Sequence, residues 1–140
     1  MTDTQIPQGY KQLKGISPAE DDIGPFFYRK EDDGGLRMGF RVKAANCNGI
    51  GSAHGGVMMT FADYVATMVA LSGVKENCAT ISSTTDFMGA ALEGDCVEGT
   101  AEVMRRTKSL TFLRGELQVA DDCKMVFQVV MRRLSKPGSS

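Results

Sequence analysis

The chain has 140 residues, 42% of them hydrophobic, and a formal net charge of −1 from 16 basic and 17 acidic side chains. That length suits one compact domain with a core that needs no disulfide or metal staple. The charge balance offers no basic face for a nucleic-acid partner, and no apolar run reaches the ~20 residues of a membrane helix.

Residues 1–24 read as a lead-in belonging to the same domain, with a short helix or an irregular segment at 5–14. The opening MTDTQIPQGY has no basic region, apolar run or cleavage site of a signal peptide, so the expected location is cytoplasmic. Residues 25–135 form the domain proper, and KPGSS at 136–140 is expected to be a flexible tail. After Pro25, two strand-like runs flank Asp32-Asp33-Gly34-Gly35, which predicts a hairpin. Residues 44–53 (AANCNGIGSA) are small and turn-forming, hence a loop. Gly55 to about Ser72 predicts a helix, too long for an ordinary strand and ending at Ser72-Gly73.

Strand-like stretches follow: ATISSTTDFM, CVEGTAEVMRR, and a long hairpin of LTFLRGELQV and KMVFQVVMRRL joined by ADDC. The fold class is α+β: one long helix against an antiparallel sheet of five to six strands. The helix is apolar almost all the way round, from Met58 to Leu71. Such a helix is buried, so the sheet must curl around it or a second subunit must cover the remainder. Cys47, Cys78, Cys96 and Cys123 form no CxxC pair, and one histidine cannot complete a zinc site with them at usual spacings. No metal is expected, and the cysteines read as reduced thiols.

Between Gly55 and Val74 the only charged side chain is Asp63. Burying an unpaired carboxylate costs several kcal/mol or forces protonation. Two readings follow: Asp63 pairs with a buried Arg or Lys or caps a loop, or it serves as a general base or nucleophile tuned by its surroundings. Thr60 and Thr67 fall at i−3 and i+4, so a polar stripe Thr60–Asp63–Thr67 runs along one helix face. The only histidine, His54, stands before Gly55-Gly56 at the helix start. It reads as an N-cap or core histidine, or as part of a site. Glycines there let another group approach, and the unpaired first-turn amides form an oxyanion-type site. Gly55 and Asp63 lie eight residues apart, roughly 12 Å along one helix. One carbonyl cannot touch both within a single chain. A dimer with two equivalent interface sites is therefore expected, each using glycine from one helix and aspartate from the other.

The pattern Asn48–x–x–Gly51–x–x–His54-Gly55-Gly56, followed by Asp63, resembles the hotdog-fold acyl-CoA thioesterases, most nearly their phenylacetate-pathway group. The likeness continues through TDFMGAALEGD at 85–95 and covers about residues 25–134. It implies the hotdog fold, a long helix wrapped by the sheet, in dimers often paired into homotetramers. It also implies metal-free hydrolysis of an acyl-CoA, with CoA present only as part of the substrate. Asp63 would be the base or nucleophile, and the Gly55 amide would polarise the thioester carbonyl. Asn48 and His54 would hold substrate and loop. A Ser or Thr on the first strand after the helix would position the water. It matches Thr80, with Ser82 as the fallback, because Thr80, Ser82 and Thr84 share strand parity. Gly56 and Thr67 would line the substrate site. Lys108 and Ser109, with Arg105 or Arg106, fall where such enzymes meet the CoA phosphates; a solvated strand end is the other reading. Hotdog dehydratases differ, with a proline-rich FPG-type segment after the histidine and Glu in the helix. The alternative function is a non-catalytic acyl-CoA binder or sensor; a structural interaction domain would leave Asp63 unexplained. Met58, Met59, Phe61, Met68, Phe87 and Met88 could line an acyl pocket or pack the core.

Overall fold

A computed structural model describes residues 6–135. The expected tail at 136–140 lies outside the described residues. Six antiparallel strands form one sheet: β1 (Phe27–Lys30), β2 (Leu36–Arg41), β3 (Asn77–Phe87), β4 (Cys96–Arg106), β5 (Leu110–Val119) and β6 (Asp122–Leu134), in the order β1-β2-β4-β5-β6-β3. The long helix α2 (Gly55–Leu71) packs against β2 through β6. This is the hotdog arrangement.

The hairpin between β1 and β2 forms with Lys30 opposite Leu36, and Gly34 takes the positive φ of 88° in the connecting turn. Phe26, Phe40, Phe61 and Tyr64 meet ring to ring beneath the helix, with centroids 4.7 to 6.0 Å apart. Full burial of one such side chain contributes roughly 1.5–3 kcal/mol. Gly99 in β4 leaves room for side chains of the helix and of β5: a Cβ there would meet Val65 Cγ2 at 2.7 Å and Leu117 Cδ2 at 2.8 Å.

Two open expectations are resolved and one needs correction. Of the two forms expected of the lead-in, the described residues 6–14 take the irregular one, which touches the sheet at Lys11 opposite Tyr28. A short helix α1 (Pro18–Ile23) follows, with Pro near its start and Glu20 and Asp21 in its first turn. Helix α2 is not covered all round. The sheet buries Met58, Phe61, Ala62, Val65, Ala66 and Ala70 but leaves Thr60, Asp63 and Thr67 half-exposed on the far side. The polar stripe is thus the part of the helix that its own sheet does not wrap. Finally, Thr80 and Ser82 do not share a face. The register of β3 against β6 slips between them, so Thr80 pairs with Met131 and Ser82 with Val130. A bulge adds one residue and reverses the alternation beyond it. Thr80 faces the helix with Ser83 and Thr85, while Ser82 and Thr84 face outward.

Strand β3 lies at the sheet edge and, among the described residues, pairs only with β6. Most of its side chains are exposed, Ile81 and Phe87 among them. An edge this long and this little protected is a template for pairing with another strand.

Candidate active site

Helix α2 begins at a capped, fully organised start. The His54 backbone is extended, with φ −59° and ψ 138°, and its Nδ1 accepts the Gly56 N–H at 2.9 Å. The His54 carbonyl accepts from Val57 and Met58. Of the expected readings for His54, the structure shows the N-cap. Gly55, the first helical residue, keeps an N–H with no hydrogen-bond partner among the described residues. That amide lies at the positive end of the helix dipole, as an oxyanion donor requires. The Phe87 ring lies beside it, 3.4 Å from where a Gly55 Cβ would stand.

The loop before the helix is held by two asparagines. Asn48 Oδ1 accepts from the Ile50 and Ser52 amides, and its Nδ2 donates to the Ser52 hydroxyl. Asn48 therefore shapes the loop. Asn46 was not singled out from the sequence, yet it is buried and fixes the helix entry. Its carbonyl accepts the His54 N–H at 2.8 Å, its Oδ1 accepts from Lys43, and its Nδ2 donates to the Ile23 carbonyl. A small polar residue inside a loop of small polar residues carries no distinguishing sequence signal.

Asp63 stands half-exposed at mid-helix. Its Oδ1 accepts the Thr80 hydroxyl at 2.5 Å. No ion pair reaches it among the described residues, so the expected alternative of a buried Arg or Lys partner is not realised. Thr80 is brought to the aspartate; Ser82 is turned away by the bulge. Thr60 donates to the Gly56 carbonyl one turn back. Thr67, one turn along the helix from Asp63, lines a cavity with Tyr64 and Glu20. Glu20, on α1, was missed because α1 itself was missed; Ser17-Pro18 ahead of Glu20-Asp21 was the available helix-start signal. Burial pushes the Glu20 carboxyl up, and the charge of Asp63 adds to it. Cys78 on β3 is also raised, by burial first and then by Asp63.

The basic residues lie elsewhere. Arg106 Nη2 donates to the Ala70 carbonyl at 2.8 Å and so closes the C-terminal end of α2. Lys108 and Ser109 are exposed in the turn between β4 and β5. Beneath that turn, Arg133 donates to both Glu76 carboxylate oxygens and to the Thr107 carbonyl. None of these groups reaches Asp63 within one chain. Of the six candidate pocket residues, Met58 and Phe61 are core, Met59, Phe87 and Met88 are exposed, and Met68 lines the cavity.

A family model described as the thioesterase superfamily matches residues 50–125. A Pseudomonas aeruginosa protein named as a candidate esterase, PA0474, is 32% identical over 115 residues, covering 80% of this chain and 85% of that protein. Among solved structures, the Escherichia coli PaaI protein from the phenylacetic acid degradation operon superposes with a TM-score of 0.78 at 20% identity, covering 86% of this chain and 87% of that one. The smu.793 protein of Streptococcus mutans bound to acetyl CoA superposes with a TM-score of 0.77 at 17% identity, covering 90% and 98%.

Proposed function

The chain belongs to the thioesterase superfamily and is a thioester hydrolase; from that premise we propose that its substrate is an acyl-CoA, cut at a site shared by two copies of the chain. The observation that carries this reading is the exposed stripe of α2. It presents a free Gly55 amide at one end and the Asp63–Thr80 pair about 12 Å along, on a helix that its own sheet leaves uncovered.

Pairing of β3 with β3 of a second copy, centred near Ser83, supplies the missing half. Thr80 sits by Asp63 and Phe87 sits by Gly55. A two-fold through the strand centre brings the Phe87 end of one strand to the Thr80 end of the other. Each Asp63 then faces the partner subunit's Gly55. That amide receives the thioester oxygen as negative charge builds on it. The Thr80 hydroxyl occupies one Asp63 oxygen and leaves the other to act. Asp63 takes a proton from a water that attacks the carbonyl carbon, or attacks that carbon itself to form an acyl-aspartyl anhydride that water then hydrolyses; on either route the C–S bond breaks, the CoA thiolate takes up the proton released by the water, and the free acid remains. The CoA ester bound by the Streptococcus mutans neighbour supports this substrate class. Lys108 and Ser109, exposed at their turn, remain the residues assigned to the CoA phosphates. A homotetramer of two dimers would pack through the outer sheet face, where Thr84, Glu102, Arg114 and Gln128 line a broad open hollow. The cytoplasmic location belongs to this proposal too, supported by four cysteines that stand as free thiols.

The test separates the two halves of the site. Asp63→Asn should lower hydrolysis of a panel of acyl-CoAs at least ~100-fold, the range for losing an acid–base group. Gly55→Pro removes the amide hydrogen and adds ring carbons, whose Cβ would stand in ordinary contact with Phe87 at 3.4 Å; proline suits the first helical position, and His54 already has the extended ψ that a following proline needs. It should cost roughly 100- to 1,000-fold. Refolding the two inactive variants together should then restore about a quarter of wild-type activity, because half the dimers would hold one intact site of two. No recovery on mixing would refute the shared site. Binding of acyl-CoA without turnover by the wild type would instead favour a sensor.

A further inference from the structure

The stretch TDFMGAALEGD at 85–95 supplies no group to the reaction described above, yet it carries the chain from the end of β3 past the start of α2. Phe87 is the last residue of β3. The bulge after Thr80 decides where its ring points: residues 83, 85 and 87 turn inward together, and Phe87 pairs with the buried Met125. The tip of the ring reaches Gly55. Its Cζ, Cε1 and Cε2 lie 3.4, 3.6 and 3.9 Å from where a Gly55 Cβ would stand. Both sides of this contact are held by backbone bonds. The Met88 and Gly89 amides donate to the Lys124 carbonyl at 2.8 and 3.2 Å, which pins the end of β3. The Ala53 amide donates to the Ala91 carbonyl at 2.7 Å, which ties the loop after Phe87 to the helix entry. The ring itself is 52% exposed and lies outside the aromatic cluster of Phe26, Phe40, Phe61 and Tyr64, so it adds little to the core.

We infer that Phe87 is a positioning residue for the hydrolysis: its ring screens the Gly55 amide from water, so that the amide meets the thioester oxygen without a competing hydrogen bond. The inference rests on the oxyanion role given to Gly55 above and names the neighbour that this role requires. A first-turn amide has no acceptor inside its own helix and, in open solvent, holds a water. That water must leave before the carbonyl oxygen docks. Water close by also weakens the pull of the amide on the growing charge, because it raises the local dielectric. An apolar ring set against the glycine takes up part of the space where such water would stand, and it brings no hydrogen-bonding group of its own. The benefit is greatest where the charge on oxygen is greatest, at the transition state, so it belongs in kcat rather than in KM.

The experiment measures kcat and KM of the full chain with acetyl-, hexanoyl- and phenylacetyl-CoA. Phe87→Ala should lower kcat about 10-fold, less than loss of the amide itself, and leave KM within about 2-fold of wild type. Phe87→Leu keeps an apolar cover and should recover most of the lost kcat. The deciding arm adds Phe87→Ala to Gly55→Pro. With the amide hydrogen gone there is nothing to screen, so the second substitution should cost less than about 2-fold more. A further loss of about 10-fold in that background would show that the ring acts elsewhere, and would overturn the inference while the Gly55 role stands. A Phe87→Ala defect confined to KM would overturn it too, as would one that disappears when protein concentration is raised, the behaviour of a contact between subunits. A Gly55→Pro enzyme as active as wild type would overturn the Gly55 role and this inference together.

Discussion

Gly99→Ala tests how closely the helix is set on the sheet. The added Cβ would lie 2.7 Å from Val65 Cγ2, 2.8 Å from Leu117 Cδ2 and 3.3 Å from Phe61 Cε2. Apolar carbons rest at about 3.5–4.0 Å, so the first two contacts are too short by roughly 1 Å. All three neighbours are fully buried and none can swing into solvent. The helix must lift, or the side chains must leave their rotamers, at a cost of about 1–3 kcal/mol. For a domain of this size that is a fall in Tm of roughly 3–12 °C. Val65 is two residues from Asp63, so the lift also moves the carboxylate against Thr80, and a misplacement near 1 Å can cost up to ~100-fold in turnover. Calorimetry and acyl-CoA hydrolysis read the two effects. Gly49→Ala is the control, since a Cβ there meets nothing within 4 Å; it should stay within about 0.5 kcal/mol of wild type. A Gly99→Ala protein that melts and turns over like wild type would refute the packing argument.

Thr80→Val keeps the shape and removes the hydroxyl that bonds Asp63; kcat should fall about 10-fold, whereas Ser82→Ala on the outward face should leave it unchanged. Equal losses in both would return the strand to simple alternation. His54→Ala should cost about 1 kcal/mol of stability as the cap is lost, and His54→Ser should recover most of it; a Ser variant that is stable yet inactive would give His54 a chemical part beyond capping. Arg133 holds the Glu76 carboxyl below its ordinary value of 4.5. A depressed carboxylate stabilises the fold above that ordinary value, and this is lost as pH falls through the folded value. Glu76→Gln should therefore melt lower than wild type at neutral pH and converge with it in acid; a difference in Tm constant down to low pH would count against the pair.

The elements with strong local patterns were legible in the sequence. The hairpin around Asp32-Asp33-Gly34-Gly35, the Gly55 helix and the alternating strands follow from periodicity and turn chemistry, which are properties of neighbouring residues. The isolation of Asp63 within an apolar helix, and the free amide expected at Gly55, were legible for the same reason. Thr80 was reached by family resemblance, and the structure brings its hydroxyl to the carboxylate. Three features were decided only when distant segments met. The bulge after Thr80 depends on how β3 must lie against β6, and one extra residue there reverses every later face. Whether an apolar helix is covered all round depends on how far the sheet curls, and here it stops short of Thr60, Asp63 and Thr67. The cavity joins Leu13 and Glu20 to Tyr64 and Leu71 across some fifty residues of chain. Local pattern records which face of an element is apolar; only packing decides what that face meets, and where it leaves a space.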